Sequence, residues 1–296
     1  MRGWLIYNGS LEVKKVNILV NKLKQEADRL GFDLSLVKTT DILPYYDENC
    51  RPKIALLSDQ PKCDYIIFWD KDVLLAKHLE IMGHAVFNSS DAIAKCDDKL
   101  LMHQALTNSG IPTPNTMIGP FAFFKNELDL NHYKGVVDLL GEDFIIKEAC
   151  GSFGMQVYMI NSFEQYISKI NELGNKRFLM QENIKSSRGR DLRINIIGDK
   201  IIGAMERINT TDFRANITLG GSGRPVEINE KQREIALKAH KCLGLDFSGV
   251  DLLYDENEDP ILCEVNSNVN YISYEDVSGL NISKLLLEYI EGSLQK

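Results

Sequence analysis

Three oxygen-bearing residues near the C-terminal end of the sequence are spaced so that a β-hairpin would bring them together. The polar run 255–260 lies between two apolar segments, a pattern that favours a hairpin with a six-residue loop. A regular ladder on that loop pairs Asp251 with Glu264, and directly opposed residues share a face, with Cβ atoms about 5 Å apart. Because side chains alternate along a strand, Asn266 lies on the same face as Glu264. The spacing therefore predicts one site formed by these three residues.

Such a site favours the binding of a divalent metal ion. Two opposed carboxylates repel unless a cation or a proton lies between them. Oxygen ligands that leave room for water and phosphate oxygens suit Mg²⁺ better than Zn²⁺. We therefore expect Asp251, Glu264 and Asn266 to bind Mg²⁺, with Mn²⁺ as the alternative ion. A solvent-facing hairpin whose polar residues bind nothing is the other interpretation of the same segment.

A lysine and a glycine-bearing loop in the middle of the chain have the chemistry to bind phosphate. Lys147 ends an apolar run, and the loop Gly151-Ser152-Phe153-Gly154 follows it. Glycines let backbone N–H groups approach phosphate oxygens, although most short glycine loops are ordinary turns. The chain contains neither a G-x-x-x-x-G-K-[ST] nor a G-x-G-x-x-G motif. A nucleotide, if one binds, is held in another way.

The hydrophobic pattern predicts a mixed fold around these residues. Strands and helices alternate through the first hundred residues, as in a small doubly wound α/β domain, and sheet-rich segments of α+β type follow. Hairpins are expected at 198–199 and 255–260. The predicted strands are 4–7, 32–37, 65–69, 85–88, 144–148, 157–160 and 178–182, and the predicted helices are 16–30, 71–82, 99–106, 162–173, 230–243 and 282–293.

The composition excludes several classes of protein. Among 296 residues, 42 acidic and 34 basic side chains leave a net charge of −8, which argues against a nucleic-acid partner. The apolar run 65–69 is far shorter than the roughly 20 residues of a membrane-spanning helix, and the N-terminus turns polar too early for a signal peptide. The six cysteines are scattered, which favours free thiols in a reducing compartment and a cytoplasmic location.

The order of motifs resembles an ATP-grasp ligase, and within that superfamily it is most similar to the RimK-type α-L-glutamate ligases. The resemblance covers the chain from about residue 88 to the end, whereas the first ninety residues agree in pattern only. The motifs are, in order, Asp98-Lys99-Leu100, Gly110-Ile111-Pro112-Thr113-Pro114, Ile146-Lys147 with the glycine loop, Gln181-Glu182-Asn183-Ile184, Asp191-Leu192-Arg193, Asp212-Phe213-Arg214-Ala215-Asn216, Gly249-Val250-Asp251 and Glu264-Val265-Asn266.

The resemblance implies an ATP-grasp fold with an N-terminal doubly wound α/β domain. The implied divisions are an N-terminal α/β domain at 1–97, a central ATP-grasp subdomain with the lid and the phosphate loop at 98–184, and a C-terminal subdomain with the Mg²⁺ site at 185–296. The polar run 185–190 is suited to a hinge. Gly220-Gly221-Ser222-Gly223 and the loop 151–154 would serve as mobile covers that keep water out.

The resemblance also implies which residues hold ATP. Lys99 and Lys147 would hold the α- and β-phosphates as compact point charges. Glu182 and Asn183 would meet the adenine edge, and Asp191 would lie near the ribose or in the hinge. The full implied set is Lys99, Lys147, Gly151, Ser152, Gly154, Gln181, Glu182, Asn183, Asp191, Arg214 and Asn216.

Four residues are implied in catalysis. Arg214 and Asn216 would contact the γ-phosphate and the reaction centre. Arg193 and Arg207 would clamp a carboxylate or an acyl phosphate, since a guanidinium fork matches two oxygens at once. A surface ion pair is the alternative interpretation of either arginine. One or two Mg²⁺ ions would be held by the three residues that the hairpin register brings together.

The implied reaction joins a carboxylate to an amine. A substrate carboxylate would attack the γ-phosphate of ATP to give an acyl phosphate and ADP, and an amine would then displace phosphate to form an amide. We expect glutamate or another amino acid to be added to a peptide, a protein or a small carboxylate, by an enzyme for which a homo-oligomer is the common state.

Two departures from the family pattern concern specificity. After Asn266-Ser267 the chain continues as Asn268-Val269-Asn270-Tyr271, where the family has a Ser-Pro-Gly-like turn. In addition, the segment 216–221 lacks the basic residue that glutamate ligases show before their paired glycines. The alternatives are therefore a ligase that modifies or cyclises a ribosomal precursor peptide, and a non-catalytic ATP-binding regulatory protein.

Overall fold

The computed structural model describes residues 1–10, 14–124 and 127–295. The first part of the chain forms a parallel sheet with strand order β2-β1-β5-β6, and strands β3 and β4 form a separate hairpin. Its elements are β1 (Arg2–Tyr7), α1 (Lys14–Leu30), β2 (Asp33–Lys38), β3 (Ile42–Tyr46), β4 (Pro52–Leu56), β5 (Tyr65–Trp69), α2 (Val73–Ile81), β6 (Ala85–Phe87) and α3 (Ser90–Asp97).

Helices cover both faces of this sheet. Leu5 and Ile67 lie in a core shared with α1, whereas Ile6 and Phe68 lie in a second core shared with α2 and α3. Because alternate residues of a strand point to opposite faces, both faces of β1 and β5 are buried. The predicted doubly wound arrangement is confirmed.

The β3–β4 hairpin was not predicted from the sequence. Its strands carry Pro44 and Pro52, and proline weakens a strand assignment because it cannot donate to the ladder. Most of β3 is exposed, so the alternation of apolar and polar residues that marks a half-buried strand is missing.

The middle of the chain forms an antiparallel sheet with two helices on one face. The sheet has the order β7-β10-β8-β9, and its core includes Val136, Phe144 and Tyr166. Two of its elements were not predicted from the sequence: β7, which has three residues, and α5, whose start is marked by Asp129 accepting from the His132 N–H at 3.0 Å. The elements are α4 (Lys99–Ala105), β7 (Thr116–Ile118), α5 (Leu130–Leu140), β8 (Phe144–Glu148), β9 (Val157–Ile160), α6 (Phe163–Leu173) and β10 (Phe178–Glu182).

The last part of the chain forms an antiparallel sheet of five strands with the order β13-β12-β11-β14-β15. Helix α7 packs on one face through Ala236, Ala239 and Leu243. The elements are β11 (Arg190–Ile197), β12 (Lys200–Ile208), β13 (Ser222–Val226), α7 (Glu230–Leu243), β14 (Phe247–Tyr254), β15 (Pro260–Asn266), α8 (Ile272–Ser278) and α9 (Ile282–Leu294).

Two details differ from the expectations for this part. Ser222 and Gly223, expected in a mobile cover, are paired with β12 as the first residues of β13. Helix α8 was not predicted, and it packs with α9 and α1 in the core beneath the N-terminal sheet. Within the described residues, none of the helices combines the length and the apolar character that crossing a membrane requires.

Helix α4 connects the central and C-terminal sheets. Asp98 caps it, as the sequence predicted, and accepts from the N–H groups of Leu100 and Leu101 at 2.9 and 3.3 Å. Leu100 packs against the central sheet, whereas Met102 lies in the core of the C-terminal sheet. Lys99, the first residue of α4, is thereby fixed between the two sheets.

Candidate active site

Strands β14 and β15 bring the three predicted metal ligands together. Asp251 pairs with Glu264, and Asn266 pairs with Gly249. The Asn266 Nδ2 atom lies 3.4 Å from an oxygen of Asp251 and 3.4 Å from an oxygen of Glu264. The three side chains therefore meet on one face of the sheet.

The loop that connects these strands differs from the prediction. Tyr254 pairs with Pro260, so the loop is one residue shorter than expected. Leu252 pairs with Leu262 and Asp251 with Glu264, which leaves Cys263 as an extra residue in a β-bulge. The bulge restores the predicted pairing of the two carboxylates. The predicted pair is right, and the regular ladder from which it was predicted is wrong.

Two arginines lie against the Asp251 carboxylate. Arg193 binds it with Nε and with Nη2, the latter at 2.6 Å, and Arg207 Nη2 approaches it at 3.0 Å. Arg207 also makes two hydrogen bonds of 2.6 Å to Asp191. Both arginines are in ion pairs, as the alternative interpretation holds, but their side chains are only 13% and 8% exposed, so these pairs are buried and do not lie on the surface. They form a buried network at the edge of the site.

Burial and the arginines act in opposite directions on the pKa values of this network. Burial raises the pKa of Asp251, but Arg193 and Arg207 outweigh it and hold that pKa below its ordinary value. At Asp191 burial dominates, and the pKa is raised despite Arg207. Asp251 is thus bound by both arginines, whereas Asp191, within the described residues, is bound by Arg207 alone.

Gly249 leaves the space in which Arg193 lies. A Cβ atom at this position would stand 2.9 Å from Arg193 Cδ and 2.5 Å from a methyl carbon of Val269. Both contacts are too close for a real side chain. The glycine of the Gly249-Val250-Asp251 motif is thus required for the close approach of the arginine, and not for a turn.

Two buried lysines face the same cavity as the acidic residues. Lys99 and Lys147 are each 8% exposed, and in the described part of the chain neither has a carboxylate within 4 Å. Lys147 Nζ donates to Gln181 Oε1 at 2.6 Å, and Gln181 in turn donates to Thr116. A buried ammonium group without a counter-ion is costly, so these lysines are arranged for an anionic ligand.

The glycine loop closes the cavity together with the segment after β12. Arg214 donates to the Gly154 carbonyl at 2.6 Å and is held by Asp212 through a second nitrogen at 2.7 Å. Gly154 has a φ of +72°, and a Cβ there would lie 2.8 Å from the Asn216 side chain. The backbone N–H of Ser152 donates to Gln156. These contacts bring Arg214 and Asn216 to the loop.

The cavity between the central and C-terminal sheets has a volume of about 140 Å³. Six basic and four acidic side chains line it, although the chain as a whole carries a net charge of −8. Such a local excess of positive charge attracts an anion. Of the site residues expected from the sequence, only Arg193 does not line this cavity. The residues that do line it are Lys99, Lys147, Gly151, Ser152, Gly154, Gln181, Glu182, Asn183, Asp191, Arg207, Arg214, Asn216, Asp251, Glu264 and Asn266.

A second cavity of about 540 Å³ adjoins the first and contains Arg193. Eight of the described residues line both cavities, namely Gly151, Ser152, Phe153, Gln156, Arg207, Asn216, Glu264 and Asn266. The lining includes residues that the sequence analysis did not select: Asn8, Asp70, Lys71, Asn195, Asn268 and Ser273. The one signal in the sequence was Asn195, a polar residue in the apolar run of β11.

The sequence was compared with models of known protein families. The model of the RimK-like ATP-grasp domain matches residues 96–290. The chain belongs to the RimK-like ATP-grasp family. This confirms the resemblance stated from the motifs.

The curated relatives include proteins named as ligases and synthases. A probable alpha-L-glutamate ligase of Legionella pneumophila is 31% identical over 293 residues, which cover 91% of this chain and 90% of that protein. A beta-citrylglutamate synthase B of Danio rerio is 29% identical over 225 residues, which cover 75% of this chain and 54% of that protein. The chain thus spans about half the length of the latter relative. The names ligase and synthase agree with the predicted enzyme class, an ATP-dependent ligase.

Solved structures confirm the ATP-grasp fold. A D-alanine–D-alanine ligase from Bacillus anthracis, complexed with ATP, has a TM-score of 0.75 at 19% identity, covering 100% of this chain and 98% of that one. The ATP-grasp ligase PsnB, complexed with a minimal precursor, Mg and ADP, has a TM-score of 0.70 at 15% identity, covering 99% and 98%. At these identities the likeness shows the fold alone.

Proposed function

We propose that this protein is an ATP- and Mg²⁺-dependent ligase that joins a carboxylate to an amine through an acyl phosphate. One observation carries the proposal: the cavity presents two buried lysines without acidic partners and, across it, the group formed by Asp251, Glu264 and Asn266. A polyanion bound with a divalent cation compensates both sets of charges. ATP with Mg²⁺ is the ligand of that description that the fold family uses.

The oxygen ligands fit a hard cation. A carboxylate offers about four lone-pair sites; on Asp251 the arginines occupy three, and the Asn266 amide nitrogen faces the same carboxylate at 3.4 Å, a long contact that a bound ion would replace. Glu264 has no basic partner within 4 Å among the described residues, so its carboxylate is free for a metal. The described residues hold no group of three or more His, Cys, Asp and Glu side chains that could hold a metal ion, so the proposed site relies on two carboxylates and the Asn266 amide. When bound, Mg²⁺ would neutralise the phosphate oxygens.

The other residues of the cavity would position the reactants. Lys99 and Lys147 hold the α- and β-phosphates, and Glu182 and Asn183 line the adenine end. Arg214 is held by its contacts to Asp212 and Gly154, which supports the proposal that its guanidinium group stabilises the charge that develops on the γ-phosphate. Prior placement of this kind is the main source of catalysis in phosphoryl transfer.

The reaction has two steps. An oxygen of the substrate carboxylate forms a bond to the γ-phosphorus as the bond to ADP breaks. The amine nitrogen then forms a bond to the acyl carbon, phosphate leaves, and the amine loses its proton. The loop 151–154, closed by Arg214, would keep water from the acyl phosphate between these steps.

The amine substrate we propose is glutamate or another amino acid, and the acceptor is a peptide, a protein or a small carboxylate. Support comes from the names of the two relatives, both of which refer to glutamate. We further propose a cytoplasmic location, in keeping with the six free cysteines. The divisions 1–97, 98–184 and 185–296 remain our proposal for the domains.

The test is ADP release that requires both substrates. Purified protein is incubated with ATP, Mg²⁺, pooled amino acids and a panel of carboxylates, with mass spectrometry of the products. Glu264→Ala should abolish turnover with the fold retained, whereas Glu288→Ala, an exposed site on α9, should leave it unchanged. Tight ATP binding without ADP release in any mixture would contradict ligase activity and favour the regulatory alternative.

A further inference from the structure

The second cavity contains buried polar atoms for which the described chain offers no partner. Asp70 is 5% exposed and Asn195 is 3% exposed, and both line the cavity. Asp70 Oδ2, both polar atoms of the Asn195 side chain and Asn268 Oδ1 have no hydrogen-bond partner in the described part of the chain. Buried polar groups are normally hydrogen-bonded, because leaving them unpaired costs free energy. Their grouping around one cavity therefore points to a ligand.

The backbone fixes the Asp70 carboxylate so that one oxygen remains open. Its Oδ1 atom accepts from the N–H groups of Lys71 and Asp72 at 2.6 and 3.0 Å, just beyond the end of β5. Lys71 itself lines the cavity, but its Nζ atom is engaged elsewhere, 2.6 Å from Asp97 and 3.2 Å from the Gly151 carbonyl. Asp70 Oδ2 is thus a carboxylate oxygen without a basic partner, at a position tied to the glycine loop.

The chemistry of the open atoms identifies the group that they would bind. Asp70 Oδ2, Asn195 Oδ1 and Asn268 Oδ1 are acceptors, and an ammonium group has three N–H donors. Burial raises the pKa of Asp70. The backbone N–H groups of Asp72 and Lys71 and the side chain of Asn8 oppose this rise, and a cationic ligand would lower the pKa further. The remaining open donor, Asn195 Nδ2, suits a carboxylate oxygen of the same ligand.

We propose that Asp70, Asn195 and Asn268 bind the amine substrate, with Asp70 holding its ammonium group. The inference rests on the proposed function, because the second cavity shares Asn216, Glu264 and Asn266 with the ATP cavity and so opens onto the reaction centre. A free amino acid has the size and the two charged groups that the cavity accommodates. Asn268 lies in the segment where this chain departs from its family, so it makes this site specific to the protein.

The experiment compares amino acids with analogues that lack the amine. Binding of the twenty proteinogenic L-amino acids is measured by ligand-observed NMR in the presence of Mg²⁺ and a non-hydrolysable ATP analogue. For L-glutamate the matched analogue is glutarate. We expect at least one amino acid to bind about tenfold or more tightly than its analogue, as expected for a hydrogen bond to a charged group.

Asp70→Asn should remove this preference. The amide oxygen of asparagine can still accept from Lys71 and Asp72, so the variant keeps the local fold and loses only the charge. Asn268→Ala should weaken binding of the same amino acid, and Asp59→Asn, at an exposed position, should change nothing. An unaltered preference in Asp70→Asn, or no amino acid bound by the wild type, would overturn the inference.

Calorimetry with Mg²⁺ and the ATP analogue separates this inference from the proposed function. Intact nucleotide binding in the wild type and in Asp70→Asn, without selectivity for an amine, would refute the amine site alone. If the wild type does not bind the nucleotide analogue at all, the proposed function itself is refuted.

Discussion

Replacement of Arg207 by alanine should destabilise the protein strongly. The Arg207 side chain is 8% exposed, makes two hydrogen bonds of 2.6 Å to Asp191 and lies 3.0 Å from Asp251. Its removal leaves two buried carboxylates with Arg193 as the remaining guanidinium group of the network. Removing one partner of a buried ion pair costs about 3–5 kcal/mol, mostly because the other charge stays buried without compensation.

Urea unfolding of the nucleotide-free protein measures this cost. Arg224→Ala is the matched control, since its ion pair with Glu206 has the same 2.6 Å distance but its side chain is 70% exposed, and we expect a loss below about 1 kcal/mol. The double variant Arg207→Ala with Asp191→Asn should recover part of the stability, because one uncompensated charge is gone. A loss below about 1 kcal/mol for Arg207→Ala, or no recovery in the double variant, would refute the electrostatic reasoning.

Two further predictions concern packing and pH. Gly249→Ala should lower the free energy of unfolding by about 1–3 kcal/mol, because the new methyl group clashes with Arg193 and Val269. The control Gly292→Ala in α9, where a Cβ atom would have nothing within 4 Å, should raise the melting temperature slightly. Equal changes in stability for the two variants would contradict the packing argument. Burial lowers the pKa of His240 to about 4, so the unfolded chain binds more protons between about pH 6.5 and 4, and stability should fall by roughly 3 kcal/mol as the pH drops through that window. Urea unfolding midpoints of the wild type and of His240→Gln, measured across this pH range, test the prediction. The stability of the variant should fall less as the pH drops.

The sequence was sufficient to predict those elements whose structure is determined by one short segment. The helix start at Asp98 and the hairpin at Gly198, with a φ of +58°, follow from local capping and turn chemistry, and both were predicted. Elements whose signal is weak locally were missed. The β3–β4 hairpin carries prolines and exposed side chains, and α8 is a seven-residue helix stabilised by packing against α1 and α9. Tertiary contacts decided these elements, and a single sequence does not display them.

The pairing of Asp251 with Glu264 shows why a prediction can be right for an incomplete reason. Asp251 and Glu264 were paired by counting from a six-residue loop, which ignored the bulge at Cys263. The shorter loop and the extra residue cancel, so the two carboxylates still face each other. A bulge leaves no reliable mark in an apolar strand, whereas the requirement that both carboxylates reach one ligand constrains the register from the functional side.

The second cavity was beyond the reach of motif reasoning because it is assembled from distant segments. Asp70 comes from the end of β5, Asn195 from the middle of β11, and Asn268 from the turn after β15. Only Asn195 stands out in its own segment, as a polar residue in the apolar run of β11. The feature common to the three is a buried side-chain atom with no hydrogen-bond partner among the described residues. The first seventy residues therefore contribute to the site through Asp70, although the first motif begins only at Asp98. A chimera that exchanges this N-terminal part should for that reason alter the choice of amine while leaving ATP binding intact.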